Sequence, residues 1–125
     1  MNQQEKIDPK WDVQLRKGTL ELVILAALRE RRLYGLELLE LLHCLETTAI
    51  TEGTLYPLMD RLKRDGLVNA RWQQEGRSKP RKYYKLTQDG AAKLSALTQR
   101  WRRSVEDIEF LLHNPGPNKL NPKEE

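Results

Sequence analysis

The 125-residue chain has one cysteine, two histidines and only seven glycines, and it contains no long apolar run. Each scarcity closes off a class of function. One cysteine, Cys44, makes no internal disulfide. Residues 1–6 are polar and lead into no apolar stretch with a cleavage pattern, so the expected compartment is the reducing cytoplasm. The longest apolar run covers residues 22–28, whereas a membrane-crossing helix needs about 20 residues, and no membrane segment is expected. Nucleophilic catalysis needs a base beside a nucleophile, and the chain offers only His43, His113 and Cys44. His43 and Cys44 are neighbours on an expected helix and so face different directions, with Cys44 read as a core thiol. A zinc site needs four ligands at recognisable spacing, and the glycines form no phosphate-cradling pattern. Neither catalysis nor a metal or cofactor is expected.

What is present is charge with an address. Residues 61–85 hold nine positive and two negative side chains, or +7, while the other 100 residues carry thirteen against sixteen, or −3, for a total of +4. A patch of this kind faces a polyanion, and the alternative is a solvated lysine-rich surface. A chain of this length buries roughly 65% of the surface its unfolded form exposes, enough for one modest core.

Residues 1–14 read as a polar arm, in which Trp11 suggests a docking contact. From Thr19, the apolar positions Leu20, Val23, Ile24, Ala27 and Leu28 recur at helical spacing, closed by the basic Arg29, Arg31 and Arg32. A second helix follows Tyr34 and Gly35 through Leu36, Leu39, Leu42 and Leu45. Thr51 is the N-cap candidate of a third, with Leu55, Leu58, Met59 and Leu62 as its stripe and Gly66 at its C-terminal stop. The period then changes to two: Val68, Ala70 and Trp72 alternate, as do Tyr84 and Leu86. This predicts a two-stranded hairpin with a charged tip over residues 73–80. Thr87 caps a last helix running to about Leu112, and residues 113–125 read as a disordered, proline-bearing tail.

Three helices followed by a charged hairpin is the order of a winged helix-turn-helix, an α+β but mainly α fold, here over residues 15–86, with a C-terminal dimerisation helix over 87–112. The third helix turns Gly53, Pro57, Asp60 and Arg64 away from its core stripe, with Tyr56 and Arg61 on the flanks. Pro57 lies inside that helix if Thr51 is its N-cap, and in its first turn if the helix starts near Thr54. Arg77, Lys79 and Arg81 are two apart at the tip and project to one side if Pro80 leaves that parity intact. Such a row can neutralise phosphates.

The string Glu52-Gly53-Thr54-Leu55-Tyr56-Pro57-Leu58 with Arg61-Leu62, then Asp65-Gly66-Leu67-Val68, then Pro80-Arg81-Lys82-Tyr83-Tyr84-Lys85-Leu86-Thr87 with Gly90, closely resembles the PadR family of bacterial transcriptional regulators. Gly18-Thr19-Leu20-Glu21-Leu22 and Tyr34-Gly35 resemble the family's first two helices. The resemblance spans roughly residues 15 to 112. It implies a homodimeric winged-helix repressor of the subgroup with a single C-terminal helix. The positions it places near DNA are Tyr34 and Gly35, Thr51, Glu52, Gly53, Thr54, Tyr56, Pro57 and Arg61, and residues 79–82 of the wing. Charge and position add Arg64 and Arg77, so the wing cations are Arg77, Lys79, Arg81 and Lys82. The tip Gly76-Arg77-Ser78-Lys79 departs from the glycine-proline version common in the family.

In the last helix Leu94, Trp101 and Ile108 are seven apart, with Leu97 and Leu111 at the interleaved positions and Val105 beside Ser104, which breaks the series. This imperfect heptad seam predicts pairing with the same helix of a second copy. Such a dimer sets its two reading heads roughly 34 to 36 Å apart and implies a palindromic duplex-DNA operator. Trp101 near the dyad either sandwiches a flat aromatic or hydrophobic effector, as similar single-helix members do, or packs on Trp11 or the first helix. The rival function is a winged helix that binds protein or RNA without operator specificity.

Overall fold

The computed structural model describes residues 8–114. Its elements run α1 (Pro9–Ala27), β1 (Leu33–Tyr34), α2 (Gly35–His43), α3 (Glu52–Arg64), β2 (Val68–Gln73), β3 (Arg81–Leu86) and α4 (Gln88–His113). They fall into two compact units, the first ending at Leu94 and the second starting at Ser95. The first seven residues of the expected arm, and the expected tail beyond Asn114, lie outside the described residues.

The first helix begins earlier than periodicity indicates. Asp8 is its N-cap, accepting from the Lys10 amide at 2.9 Å, and Pro9 opens it, so residues 9–14 are helical rather than an arm. Their apolar members Trp11 and Val13 are exposed, which is why no buried stripe marks this stretch. The helix stops at Ala27, ahead of the basic cluster, and the Arg31 Nε donates to the Ala27 carbonyl at 2.8 Å. The second helix ends at His43. Thr48 donates to the Leu42 carbonyl at 2.6 Å and closes its last turn, leaving Leu45 outside the helix and exposed. Cys44 is correspondingly exposed and is not a core thiol, because the C-cap residue turns off the apolar stripe.

Thr51 caps α3, its hydroxyl accepting from the Thr54 amide, and Pro57 therefore lies inside the helix. At the other end, Leu67 N–H bonds to the Leu62 carbonyl at 2.9 Å and Gly66 N–H to the Lys63 carbonyl at 3.0 Å. That paired glycine C-cap requires the left-handed φ of 78° at Gly66. The Thr87 hydroxyl donates to the Gly66 carbonyl at 2.7 Å and accepts from the Gly90 amide at 2.9 Å, so the turn after α3 also seats the start of α4. Gly90 is buried, and a Cβ there would overlap the Leu67 carbonyl.

The expected hairpin is present, with Val68 opposite Leu86 and Gln73 opposite Arg81. Hydropathy misses a third strand. The two-residue β1 pairs antiparallel with β3, Leu33 opposite Tyr84 and Tyr34 opposite Tyr83, giving the sheet order β1-β3-β2. Helices α1 to α3 and the sheet enclose a core in which Ile24, Leu25, Leu28, Leu38, Leu55, Met59 and Leu62 are fully buried. Leu94 of α4 is also buried. In the second unit, Leu97 and Val105 are half-buried, while Trp101, Ile108 and Leu111 are exposed by 41, 55 and 56%.

Candidate nucleic-acid interface

Three elements contribute to one face of the first unit: the start of α2, the first two turns of α3, and the strands of the wing. Tyr34 joins β1 to α2. Its amide donates to the Glu37 carboxylate at 3.1 Å, which satisfies one of the free donors at the α2 N-terminus. Gly35 is buried beneath Tyr56 of α3, where a Cβ would overlap the phenol ring and hydroxyl. The glycine lets α3 approach the start of α2 closely.

The wing reaches this junction through Arg81. Its guanidinium donates to the Tyr34 hydroxyl and lies over the Tyr34 ring, 4.4 Å from the centroid. Tyr34 meets Tyr83 edge-on at 5.3 Å, and Arg32 covers the other tyrosine at 4.9 Å while donating to the Gln73 side chain. Two arginines and two tyrosines thus join β1 to both wing strands. Arg81 is held in this cluster, while Arg77 and Lys79 sit exposed in the loop. Lys82 lies 5.9 Å over the Tyr84 ring.

These groups surround a groove of about 450 Å³ lined by Tyr34, Gly35, Leu36, Tyr56, Asp60, Trp72, Pro80, Arg81, Lys82 and Tyr84. Five of the expected site residues meet here: Tyr34, Gly35, Tyr56, Arg81 and Lys82. Thr51, Glu52, Gly53, Thr54, Pro57 and Arg64 are all exposed on α3 or at its cap, outside the groove lining. Arg61 is different. It donates to Glu21 of α1 at 3.0 Å and to Asp65 at 3.3 Å, and so is turned toward its own protein. The hydrogen bond to Glu21, and the negative charges of Glu21 and Asp65, raise its pKa against a smaller opposing effect of burial.

The sequence reading gives no site role to several residues of this face, among them Arg32, Leu36, Trp72 and Tyr84. Arg32 stands directly before β1, and a two-residue strand carries no period that could announce it. Leu36 fits the helical stripe by spacing yet is 50% exposed, since it faces the groove. Trp72 shares strand parity with buried Val68 but is 66% exposed, because β2 runs past the edge of the core. The expected seam residues of α4 divide too. Leu94 is committed to the chain's own core, whereas Trp101, Ile108 and Leu111 are open to solvent in the single chain. Among the described residues there is no helix long and apolar enough to cross a membrane, and no group of three potential metal ligands.

The model of the transcriptional regulator PadR-like family matches residues 24–96, which contain α2, α3 and both wing strands. A PadR family transcriptional regulator from Eggerthella lenta is similar in structure, with a TM-score of 0.74 at 37% identity, over 85% of this chain and 92% of that one. A PadR-like transcriptional regulator from Bacillus cereus gives 0.73 at 31% identity, over 79 and 96%. An uncharacterized protein of Lysinibacillus sphaericus is 30% identical over 98 residues, covering 77% of this chain and 90% of its own. The winged helix and these matches converge, and the chain belongs to the PadR-like family of transcriptional regulators.

Proposed function

We propose that the protein is a homodimeric repressor that binds a palindromic operator, with α3 as its reading helix and the wing as its phosphate contact, and that a small aromatic or hydrophobic effector releases it. The observation that carries the DNA-binding part is the convergence of Tyr34 at the head of α2, Tyr56 of α3, and Arg81 and Lys82 of the wing around one groove, the last two belonging to the segment that holds the +7 charge. The small residues at the head of α3, Gly53 and Thr54, let its backbone approach a groove wall, and exposed Arg64 can reach a phosphate or a guanine edge. Arg77 and Lys79 on the wing loop are exposed and, among the described residues, form no ion pair. Repression follows from occlusion: a dimer spanning one DNA turn excludes polymerase from the sequence it covers.

Equilibrium binding to the DNA flanking the gene, compared with a scrambled duplex over a salt series, tests this reading. Operator recognition predicts an affinity ratio of roughly a thousandfold or more. Replacing Arg77, Lys79 and Arg81 together by alanine is expected to weaken all duplexes similarly and to reduce the salt slope by about 2 to 3. A steep slope without sequence preference would instead favour a general polyanion or protein-binding module, and a slope unaffected by the triple change would remove the wing from the interface.

A further inference from the structure

A second charged cluster, none of whose members lines the groove, ties α3 to two other helices. Glu21 of α1 is its centre, with Oε1 accepting from Arg61 Nη2 at 3.0 Å and Oε2 lying 3.5 Å from Lys93 Nζ of α4. The other branch of the Arg61 guanidinium holds Asp65 at the C-cap of α3. Glu21 is the least exposed member, at 24% of its side chain against 44% for Arg61 and 45% for Lys93. Its Oε2 is shielded from solvent and, among the described residues, has no hydrogen-bond partner, so attraction to Lys93 offsets its lost hydration.

We propose that Glu21 is the positioning residue of the reading helix, gripping α3 through Arg61 with one carboxylate oxygen and α4 through Lys93 with the other. Arg61 is then a clamp within the protein and not a phosphate ligand. The proposal rests on the DNA-binding reading above.

The geometry gives the clamp its effect. A guanidinium is planar and its donors are fixed in direction; Asp65, at the C-cap of α3 itself, orients it on that helix, and the bond to Glu21 of α1 then sets the roll of α3 about its own axis. A roll of about 10° moves a side-chain tip 5–6 Å from that axis by about 1 Å, enough to spoil a bidentate contact with a base edge. With Arg61 and Lys93 nearly half exposed, these ion pairs contribute little to stability, so the consequence is read in recognition rather than in melting. Lys93 immediately precedes Leu94, the last residue of the first unit, and α4 continues beyond it. A displacement of α4 therefore reaches α3 through Lys93, Glu21 and Arg61 without any change in the groove.

Full-length Glu21→Gln, Arg61→Gln, Lys93→Gln and the Glu21→Gln/Arg61→Gln double variant test the clamp against the flanking and scrambled duplexes over a salt series. Each of the first two is expected to lower the affinity ratio about tenfold, with the double variant within about twofold of the worse single, as for residues acting through one contact. Lys93→Gln is expected to lower it less. Salt slopes stay the same throughout. If Arg61→Gln reduces the slope by about one while Glu21→Gln spares the ratio, Arg61 is a phosphate ligand and the clamp is overturned. Multiplying losses in the double variant would overturn it as well. A wild-type protein that does not distinguish the duplexes refutes the operator reading, and a DNA-free measurement then decides the clamp. In amide NMR spectra of the free protein, Glu21→Gln and Lys93→Gln are expected to shift resonances of residues 52–56, and shifts confined to the neighbourhood of the substitutions would overturn it.

Discussion

Several side chains that line the groove also pack against their neighbours. Tyr56 covers Gly35 and lines the groove, and Tyr34 starts α2 while holding Arg81 against its ring. Tyr84 goes furthest into the core, with only 3% of its surface exposed. Burial raises its pKa, and the negative charge of Asp60 and the neighbouring Tyr56 raise it further. The folded chain therefore holds this proton more tightly than the unfolded chain, whose tyrosine titrates near the ordinary value of about 10. The associated stability is fully present below about pH 10 and is lost as pH rises through the raised pKa of the folded state. Thermal melts between about pH 8 and 11 are expected to show an alkaline decline that is shallower in Tyr84→Phe, which keeps the ring and removes the titrating hydroxyl. Equal declines in both proteins would assign the alkaline loss to other groups.

Among the elements, α3 departs most clearly from local preference. Its N-cap, glycine C-cap and apolar stripe all agree, yet Pro57 sits in its interior, where it offers no donor to the Gly53 carbonyl and its ring crowds that carbonyl. A helix that meets every other local rule and breaks one on the exposed face proposed to read DNA is a candidate for stability given up to function. Replacing Pro57 by alanine is expected to stabilise the fold by about 1 to 3 kcal/mol, measured by urea denaturation. A neutral or destabilising result would show that the proline ring packs well enough to offset the missing bond. The wing shows the complementary case: its strands follow period two, as the sequence predicts, while the edge strand β1 that completes the sheet is too short to have a period at all. Likewise the first two turns of α1 carry exposed apolar residues, so its start is marked only by Asp8 and Pro9.

At the scale of the whole molecule, the last helix leaves large apolar side chains exposed. Trp101, Ile108 and Leu111 keep 41, 55 and 56% of their surface exposed in the single chain, and three such residues on one helix suit a partner helix. In the proposed dimer, Trp101 meets its symmetry mate and offers the effector an aromatic face. Trp101→Ala is expected to retain operator binding but to lose both effector-dependent fluorescence quenching and operator release, a coupling of about 1 to 3 kcal/mol. Unchanged quenching and release across a panel of flat aromatic compounds would remove Trp101 from that role.

The sequence by itself determined what depends on neighbours along the chain. Thr51 and Thr87 as caps, Gly66 as a stop, the change of period after it and the concentration of positive charge after residue 60 are all local, because hydrogen bonds and periodicities within a few residues produce them. The family resemblance carried the same information to the level of fold and function. Tertiary structure alone decided where long side chains go. Arg61 finds Glu21 across 40 positions, and Arg81 finds Tyr34 across 47. An arginine's reach and charge make it equally suited to a phosphate, a carboxylate or an aromatic face, and only the packing of the helices and sheet selects among them. For the same reason Leu94 and Trp101 look equivalent in a heptad, although packing buries the first and leaves the second exposed.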